Sequence, residues 1–465
     1  MAVHVHFIGI GGYGMSALAE WLRRSGATVS GCDARPNART RRLAALGVDV
    51  HEGHDAAHLA GVDEVVFSTD VPDDLPELQA ARASAARVLH RSELLARALE
   101  GRFAVAVTGT HGKTTTTALT AHLLEAAGRD PLAVVGAEVE AWGGGFRPGA
   151  GDVAVVEADE SDGSFLRYHP DVAVVTNVEA EHLEHYGGRF ERVVEAYAAF
   201  LSGLRPGGRA VLWAGDPRLV ELGRRWGGEV RLYGEEGEAD VRAADVVAAP
   251  GGGSAFTLWR DGRPMGRVRI ALPGRHNVHN ALAAVEAALL AGAGWEAVAA
   301  ALPAFANAHR RFEVLYRGAA GLVVDDYAHH PSEIRAVLAA ARSVAPGRVC
   351  AIFQPQRYVR TKNLWDDFVT AFDTCDDAVL LDVYAPAGER PLPGVGGAEL
   401  ARAVAARTGR ARYAPSLAAA VDMARASWLP GDLWLTLGAG DVWRAGRELA
   451  ARLAEDGGRV AKSGA

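Results

Sequence analysis

The strongest chemical signal in the sequence is a glycine-rich loop that carries one of the chain's few lysines. The segment GTHGKTTT covers positions 109–116, follows a strand predicted over 103–107 and leads into a helix predicted over 114–126. In such a unit, backbone N–H groups and the lysine hold the β- and γ-phosphates of a nucleotide, and the threonine after the lysine can ligate Mg²⁺. Val107 occupies the first glycine position of the usual G-x-x-x-x-G-K-[ST] pattern, so Gly109 is expected to supply a shortened turn.

The identity of the loop's basic residue supports this interpretation. Only three of the 49 lysine and arginine residues are lysines, namely Lys113, Lys362 and Lys462. An ammonium group is a compact point charge, whereas guanidinium is a broad planar fork. A lysine at position 113, in a chain that nearly always uses arginine, favours a phosphate contact over a packing role.

A second glycine-rich loop, GIGGYGMS at 9–16, follows a strand predicted over 3–8 and opens a helix predicted over 15–24. Its glycines allow a tight turn, and the helix N-terminus attracts a diphosphate. Asp33 lies 24 residues after Gly9, where an acidic residue often meets a ribose. The loop indicates a site for NAD or for a nucleotide-diphosphate sugar without separating them; a purely structural loop is the alternative.

Acidic and imidazole side chains follow two further buried strands. A strand predicted over 153–157 ends in acids, and Glu157 is the leading candidate for a metal ligand because a spare buried carboxylate needs a cation or partners. The acids from Asp159 to Asp162 can instead cap a helix or form a solvated loop. His182 is either a satisfied structural histidine or a contact of the Mg²⁺ shell or of ATP.

Two polar pairs mark the following segments. Asn277 and Asn280 share one face of a helix start, where their amides can hydrogen-bond adenine or cap the helix. Arg310 and Arg311 can contact phosphate, but from the sequence alone a solvated hinge pair is the better interpretation.

Near the C-terminal third, the motif FQPQRYVRT follows a strand predicted over 349–353. It presents Arg357 and Arg360 at the carboxyl end of a strand, where open α/β sheets bind ligands. Two arginines suit a carboxylate, and surface solvation is the alternative.

Three regions of alternating strands and helices must position these side chains, which implies mostly parallel sheets. Runs at 255–260 and 267–272 flank Asp261-Gly262 and predict an antiparallel hairpin. The sequence therefore predicts an α/β protein of three domains, at 1–99, 100–314 and 315–465.

Composition excludes several classes. The 465 residues are 49% hydrophobic and carry a net charge of −8, which argues against general binding to nucleic acid or to an anionic membrane. No apolar run approaches the roughly 18 residues of a membrane span, and no signal peptide is expected. The three cysteines are widely separated and form no C-x-x-C pair, so we expect neither a disulfide framework nor a cysteine-built zinc site, and a reducing cytoplasmic location fits.

Taken in order, these motifs resemble those of the Mur ligase family, over nearly the whole chain. The resemblance implies a Rossmann-like N-terminal domain that binds a UDP-sugar. It also implies a central P-loop ATPase domain, with a parallel sheet plus a small antiparallel sheet, and a Rossmann-like C-terminal domain that binds an amino acid. The motifs are GIGGYGMS, GTHGKTTT, EADESDGSFL, HNVHNALAA, RRFE, DDYAHHPSE, YAPAGE and GAGDVW.

Within the family, the motifs look like those of the branch that joins L-alanine to the carboxylate of UDP-N-acetylmuramate, with ATP and Mg²⁺, through an acyl phosphate. Relatives that add later residues use a carbamylated lysine in the ATPase domain, and this chain has no lysine between Lys113 and Lys362. The resemblance implies small-molecule substrates, no nucleic acid or membrane partner, and a monomer or homodimer.

The resemblance also assigns roles residue by residue. Catalytic roles fall on Lys113, Glu157, His182 and Arg311, and metal ligation on Thr114, Glu157 and His182. ATP binding involves Gly109, Thr110, His111, Gly112, Lys113, Thr114, Thr115, Asn277, Asn280, Arg311 and Asp326. UDP-sugar binding involves Gly9, Gly11, Gly12, Gly14, Met15, Ser16, Asp33 and Ser68, and amino-acid binding involves His329, Arg357 and Arg360.

Three positions depart from the family pattern. Asp70 replaces a small residue and Leu75 replaces an asparagine near the UDP-sugar pocket, and Gln356 replaces a histidine in the amino-acid segment. Three other functions remain as alternatives: a recycling ligase that attaches a tripeptide, an NAD-dependent oxidoreductase, and a non-catalytic nucleotide-binding regulator. A recycling ligase is disfavoured because SDGSFL lacks the insertion expected after EADE. An oxidoreductase would not explain GTHGKTTT, and a non-catalytic regulator would not need Glu157.

Overall fold

The computed structural model describes residues 3–235, 237, 239–249, 252–385 and 389–463. They divide into two compact units. The first comprises Met1–Asp245, Phe256–Val268 and His279–Ala308, and the second comprises Val246–Ala255, Arg269–Val278 and His309–Ala465. The domain boundaries after residues 99 and 314 stay predictions. Among the described residues, none of the helices combines the length and apolar character of a membrane span.

The N-terminal sheet has five parallel strands. Its elements are β1 (His4–Ile8), α1 (Tyr13–Arg24), β2 (Thr28–Asp33), α2 (Ala38–Ala45), β3 (Asp49–Glu52), β4 (Glu64–Phe67), α3 (Pro76–Ala83), β5 (Arg87–His90) and α4 (Arg91–Ala98). The strand order is β3-β2-β1-β4-β5. From β1 the chain runs to β2 and β3 on one side of the sheet, and it then crosses to β4 on the other side of β1. The first glycine loop therefore lies at the switch point where such sheets bind ligands.

The central sheet has ten strands. Its elements are β6 (Phe103–Thr108), α5 (Lys113–Ala126), β7 (Leu132–Val139), β8 (Gly144–Arg147), β9 (Val153–Glu157), β10 (Val172–Val175), α6 (Phe190–Ser202), β11 (Arg209–Trp213), α7 (Pro217–Trp226), β12 (Glu229–Gly234), β13 (Val241–Ala248), β14 (Ser254–Arg260), β15 (Arg263–Ile270), α8 (Arg275–Leu290) and α9 (Trp295–Ala301). The order is β15-β14-β13-β12-β11-β10-β6-β9-β7-β8. The side chains of β6, β9 and β10 are almost all buried, as their continuous apolar runs predict.

The predicted hairpin is confirmed, with a different extent and context. β14 and β15 are neighbours joined at Asp261 and Gly262, whose φ angles of 51° and 72° are those of a type I′ turn. The hairpin continues the parallel sheet instead of forming a sheet of its own. β15 also begins at Arg263, earlier than predicted, because Pro264 interrupts the apolar pattern yet is tolerated in this edge strand.

The C-terminal sheet has six strands. Its elements are β16 (Glu313–Gly318), β17 (Gly321–Asp326), α10 (Pro331–Val344), β18 (Val349–Phe353), α11 (Tyr358–Asn363), α12 (Trp365–Ala371), β19 (Asp377–Leu380), α13 (Gly397–Thr408), β20 (Ala411–Tyr413), α14 (Leu417–Ala426), β21 (Asp432–Leu437) and α15 (Trp443–Ser463). The order is β16-β17-β21-β18-β19-β20, with β16 antiparallel to β17 and the other pairs parallel. Apolar clusters cover both faces of this sheet, which accounts for the wholly buried strands β17, β18 and β21.

Short 3₁₀ turns lie at Ala56–Leu59, Glu140–Trp142, Ser164–Arg167, Leu183–Tyr186 and Leu302–Ala304.

Candidate active site

The candidate nucleotide site lies where three parallel strands of the central sheet end side by side. β6 is paired with β9 on one side and with β10 on the other. The glycine loop follows β6, the acidic segment follows β9, and the segment leading to His182 follows β10. Sheet order therefore brings together three motifs that are far apart in sequence.

Glycine is required at two positions of the loop. Gly109 has a φ of 124°, and a Cβ there would lie 2.1 Å from Thr176 Oγ1. Gly112 has a φ of 83°, and a Cβ there would lie 2.5 Å from Asn280 Oδ1. Both positions combine a left-handed backbone with a close neighbour, so the shortened loop depends on them.

The loop leads directly into the N-terminus of α5. Gly112 is the N-cap residue and makes no side-chain cap hydrogen bond. The first-turn N–H groups, which have no acceptor within the helix, and the positive end of the helix dipole form an anion-binding site. Lys113, Thr114 and Thr115 occupy this first turn.

Asn177 holds the loop in shape, a role that the sequence reasoning missed. Its side-chain carbonyl accepts from His111 N at 2.9 Å, and its side-chain amide donates to His111 O at 3.0 Å. Its backbone carbonyl also accepts from Thr110 N at 3.1 Å. The available signal was its position just after the end of β10, the strand that pairs with β6.

Lys113 is paired with a buried carboxylate that was also missed. Lys113 Nζ lies 2.9 Å from Glu160 Oε2 and donates to Gly109 O at 2.7 Å. Burial tends to lower the pKa of Lys113, but Glu160 and Asp159 outweigh it and raise the pKa. Burial raises the pKa of Glu160 to about 7, although Lys113 pulls it down. Lys113 is therefore charged and held at the mouth of the loop before any phosphate arrives.

The polar groups around Glu157 are suited to binding a hard cation such as Mg²⁺. Thr114 Oγ1 lies 3.1 Å from both carboxylate oxygens of Glu157, and Gly136 N donates to one of them at 2.8 Å. A hydroxyl and a carboxylate beside a phosphate cradle are the oxygen donors that Mg²⁺ prefers.

His182 lies close to the acidic segment. It precedes the 3₁₀ turn Leu183–Tyr186, with a left-handed φ of 54°. Burial tends to raise the pKa of Asp159, but the charges of Lys113 and Arg91, with a smaller contribution from His182, hold it below its usual value. The imidazole thus shares the electrostatic environment of the nucleotide loop.

The remaining acids of this segment organise the backbone. Asp159 accepts from Ser161 N at 3.2 Å, and Asp162 accepts from Ser164 N at 2.9 Å. These short-range bonds match the alternative in which the acids stabilise a local turn.

The first glycine loop is fixed by β2. Gly9 N and Ile10 N donate to Cys32 O at 2.8 and 2.9 Å, and Gly11 N donates to Asp33 Oδ2 at 2.8 Å. A Cβ on Gly11 would lie 2.6 Å from that same Asp33 oxygen. Asp33 therefore shapes the loop, in addition to any role toward a ribose.

The other residues predicted to bind the UDP-sugar differ in the groups that they could present to it. Gly12 caps α1 without a side-chain cap bond, and Gly14 lies in its first turn. Met15 is packed in the core with 2% exposure, so only its backbone N–H can face a ligand. Ser16 Oγ donates to Tyr13 O at 3.0 Å, and Ser68 is buried.

The N-terminal sheet and the acidic segment meet within the first unit. An Arg91 guanidinium nitrogen lies 3.9 Å from Asp159 Oδ2, and another would be 3.6 Å from a Cβ on Gly14. Thr69 Oγ1, next to the departure at Asp70, hydrogen-bonds Asp162. Arg91 therefore lies close to both the first glycine loop and the acidic segment. Leu75, the second departure, packs beside a small apolar cluster.

The predicted arginine pair lies in the second unit. Arg310 Nε donates to Asp325 at 2.8 Å, and its other nitrogens donate to the carbonyls of Gly438 and Gly440. Arg310 is thus anchored by structural hydrogen bonds. Both guanidinium groups also lie near the centre of the Tyr327 ring, at 5.2 Å for Arg310 and 5.1 Å for Arg311.

Asp326 is a buried carboxylate in the same unit. It accepts from Phe312 N at 2.7 Å and from Ala328 N at 2.8 Å. Burial raises its pKa to about 6, against the opposing charge of Arg311. Its hydrogen bonds tie the RRFE segment to the end of β17.

The predicted amino-acid residues lie at the carboxyl ends of β17 and β18. Arg357 precedes α11 with a φ of 64°, and Arg360 donates to Gln356 Oε1 at 2.9 Å. His329 Nδ1 lies 3.0 Å from Tyr327 O. Gln356, which departs from the family pattern, therefore positions Arg360. Residues 386–388 of the YAPAGE motif lie outside the described residues.

The two asparagines of α8 have different surroundings. Asn277 Nδ2 donates to Pro273 O at 2.8 Å, which is a local structural bond. Asn280 approaches the loop at Gly112. Asn280 is therefore the asparagine of this pair that lies close to the nucleotide loop.

Family models match most of the chain. The model described as Mur ligase family, catalytic domain, covers residues 4–103. The Mur ligase middle domain covers residues 107–288, and the Mur ligase, glutamate ligase domain, covers residues 310–440.

Individual relatives extend over nearly the full length. The UDP-N-acetylmuramate–L-alanine ligase of Symbiobacterium thermophilum is 52% identical over 456 residues, covering 97% of this chain and 94% of that protein. The crystal structure of the UDP-N-acetylmuramate–alanine ligase of Thermotoga maritima is 28% identical, with a TM-score of 0.81 and coverage of 97% and 99%. The murein peptide ligase of Psychrobacter arcticus, at 24% identity, TM-score 0.70 and coverage of 97% and 98%, shares the fold. With matched family models over all three regions and a relative of this identity, the chain belongs to the Mur ligase family.

Proposed function

We propose that the protein is an ATP-dependent ligase that joins L-alanine to the carboxylate of UDP-N-acetylmuramate. The observation that carries the proposal is the loop before α5, where Lys113 and open helix N–H groups face the strand end that carries Glu157. The relative of 52% identity bears the name of this activity.

The reaction follows from the poor reactivity of a carboxylate toward amines. The muramate carboxylate attacks the γ-phosphorus of ATP, which forms an acyl phosphate and releases ADP. The neutral amine of L-alanine then attacks the acyl carbon, phosphate leaves with the C–O electron pair, and the nitrogen loses a proton. Lys113 and the first-turn N–H groups of α5 stabilise the charge on the transferring phosphoryl group.

We assign the metal site to Thr114 and Glu157, with His182 nearby. Mg²⁺ bound there would neutralise phosphate charge during transfer. Glu160 keeps Lys113 in place until the nucleotide phosphates take over as its partner.

The UDP-sugar is assigned to the first glycine loop and the N-terminus of α1. This leaves the muramate carboxylate to approach the region where Arg91 and Thr69 meet the acidic segment. Binding close to Asp159 needs a positive neighbour, which Arg91 supplies.

The amino acid is assigned to Arg357, Arg360 and His329. Gln356 Oε1 accepts a hydrogen bond from Arg360, and the guanidinium fixed in this way is a group that suits a carboxylate. We place the reaction in cytoplasmic peptidoglycan precursor synthesis, in a monomer or homodimer, and the three buried, unbridged cysteines are compatible with a reducing compartment.

The test is phosphate release from ATP with UDP-N-acetylmuramate, in parallel reactions with L-alanine, with an L-Ala-γ-D-Glu tripeptide and without acceptor. We expect turnover with L-alanine only. Preference for the tripeptide would identify a recycling ligase instead. Calorimetry is expected to detect binding of UDP-N-acetylmuramate and not of NAD, and the opposite result would assign the first loop to a dinucleotide.

A further inference from the structure

A cluster of nitrogen, sulfur and oxygen donors lies in the N-terminal sheet, and no step of the ligase reaction uses it. It consists of His6 in β1, Cys32 in β2, His58 in the turn Ala56–Leu59 and Glu77 in the first turn of α3. One donor atom of each residue lies within 4.8 Å of the donor atoms of the other three. We propose that these four side chains form a binding site for a transition-metal ion of the Zn²⁺ class.

The donors already converge on the Glu77 carboxylate. His6 Nε2 lies 3.2 Å from Glu77 Oε1, and His58 Nδ1 lies 3.0 Å from the same oxygen. The Cys32 thiol donates to Glu77 Oε2 at 2.9 Å. Ligand atoms around a tetrahedral zinc stand about 3.3–3.8 Å apart, so a small outward shift of these side chains accommodates the ion.

A neighbouring hydroxyl orients one of the imidazoles. Ser30 Oγ lies 2.9 Å from His6 Nδ1, which leaves His6 Nε2 directed at Glu77. Metal-binding histidines are usually held in this way through their second ring nitrogen. His54 Nδ1 lies 3.2 Å from Cys32 Sγ and 3.1 Å from Glu77 Oε2, as a further outer partner.

The charge of the cluster also calls for a cation. Glu77 has no exposed surface, and its described ion-pair partners are the imidazoles of His6, His54 and His58. Burial tends to raise the pKa of Glu77, but hydrogen bonds from His6, Cys32 and His58 hold it at about 2. A buried carboxylate that stays ionised needs compensation, which a protonated imidazole or a metal ion can supply.

The donor set distinguishes among cations. Two imidazole nitrogens, one thiol and one carboxylate suit Zn²⁺ or Co²⁺ and do not suit Mg²⁺ or Ca²⁺, which prefer oxygen ligands. Burial raises the pKa of the Cys32 thiol, so binding must displace the thiol proton as the metal–sulfur bond forms. With four protein ligands the site is closed, as in structural zinc sites.

The site would act on the UDP-sugar loop through the backbone. Cys32 O accepts the hydrogen bonds of Gly9 N and Ile10 N. An ion that fixes Cys32 between β1 and α3 therefore also stiffens the start of this loop.

The experiment titrates the full-length, metal-stripped protein with Zn²⁺ against a chromophoric chelator, with excess MgATP present to occupy the nucleotide site. The site variants are Cys32→Ala and His58→Ala, Ser30→Ala removes the outer partner of His6, and the matched controls are Cys350→Ala and His169→Ala. His58 is partly exposed, so its variant is expected to fold even if Cys32→Ala does not. Titration with Co²⁺ reports sulfur ligation through its thiolate charge-transfer band, independently of activity.

We expect about one ion per chain. Ser30→Ala is expected to weaken binding about 10–100-fold, the usual cost of losing an outer partner, and His58→Ala to weaken it further. The Co²⁺ thiolate band is expected in wild type and Cys350→Ala and not in Cys32→Ala. Equal zinc uptake by wild type and both site variants, or no saturable uptake by wild type, would overturn the proposal and leave a hydrogen-bonded imidazole–carboxylate cluster.

Discussion

Lys113 Nζ and Glu160 Oε2 lie 2.9 Å apart, and the side chains of both residues are largely enclosed. The lysine of the nucleotide loop is therefore neutralised by the protein itself. Phosphate binding must exchange one anionic partner for another, which is less costly than desolvating a free ammonium group. The pair explains how a buried lysine can stay charged when no nucleotide is bound.

The first prediction concerns that exchange. Glu160→Gln removes the carboxylate that is paired directly with Lys113, and breaking a buried pair in this way costs about 3–5 kcal/mol of stability. A non-hydrolysable ATP analogue with Mg²⁺ should restore the charge balance, so it should raise the melting temperature more in the variant than in wild type. The control is Glu229→Gln, which breaks the more exposed pair with Arg209. An equal or smaller shift in Glu160→Gln would contradict the exchange.

The second prediction concerns catalysis by the same lysine. Lys113→Ala removes a stabiliser of the transferring phosphoryl group and should lower kcat about 10³-fold. Lys362→Ala, which removes an exposed lysine, is the control. Circular dichroism checks folding, because Glu160 then loses its partner. Activity within tenfold of wild type would remove Lys113 from the phosphate cradle.

The third prediction concerns the metal site. Glu157→Gln keeps the shape of the side chain and loses its charge, so it should weaken Mg²⁺ binding and suppress activity. Raising Mg²⁺ should recover part of the loss, visible as a shift of the Mg²⁺ activation curve to higher concentration. Glu140→Gln, an exposed carboxylate elsewhere in this domain, should leave the curve unchanged. Full activity of Glu157→Gln at ordinary Mg²⁺ would make Glu157 purely structural.

The fourth prediction concerns the amino acid. Hydrogen bonds to a charged group contribute about 1.5–3 kcal/mol each, so Arg360→Ala should raise KM for L-alanine roughly 10–100-fold while KM for ATP barely changes. Gln356→Ala should give a smaller increase because it only releases Arg360. Arg402→Ala, on an exposed helix surface, is the control. Glycine and L-serine should be weaker substrates, and preference for a larger or acidic amino acid would overturn the alanine assignment.

The fifth prediction follows from Asp326, whose pKa rises from 3.8 to about 6 on folding, chiefly through burial. Between about pH 4 and pH 6 the folded state therefore holds a proton that the unfolded chain releases. The contribution of this proton to the free energy of unfolding is full below about pH 4 and is lost as pH rises through about 6. The loss is on the order of 3 kcal/mol, at about 1.4 kcal/mol per pKa unit. Asp326→Asn should lack this pH dependence, although one N–H donor loses its acceptor.

Melting temperatures measured from pH 4 to pH 7 check this point. The advantage of wild type over Asp326→Asn should be largest at pH 4 and should shrink toward pH 7. Asp422→Asn, a surface substitution, should follow wild type throughout. A constant difference would show that Asp326 does not titrate in this range.

Much of the nucleotide site was readable from local patterns. The apolar runs of β6, β9 and β10 predict buried parallel strands, and the polar segments after them predict a site at the carboxyl ends. Val107 replaces the first glycine of the usual phosphate-loop motif, and Gly109, two residues later, adopts the left-handed conformation that the turn needs. Partners from neighbouring strands were harder to predict, because Asn177 and Glu160 look like ordinary loop residues until strand order places them beside the glycine loop.

The sequence alone was enough to predict the family, the α/β class and the two glycine loops, because the glycine, lysine and strand patterns that indicate them each extend over only a few residues. Three-dimensional packing was needed to show that Asp325 anchors Arg310, to show that Asp33 braces the first loop, and to assemble the cluster around Glu77. His6, Cys32, His58 and Glu77 are spread over two strands, a 3₁₀ turn and a helix, with no ligand spacing between them in the sequence. Their convergence depends on the pairing of β1 with β2 and the packing of α3 beside them, which are long-range contacts that no local sequence pattern encodes.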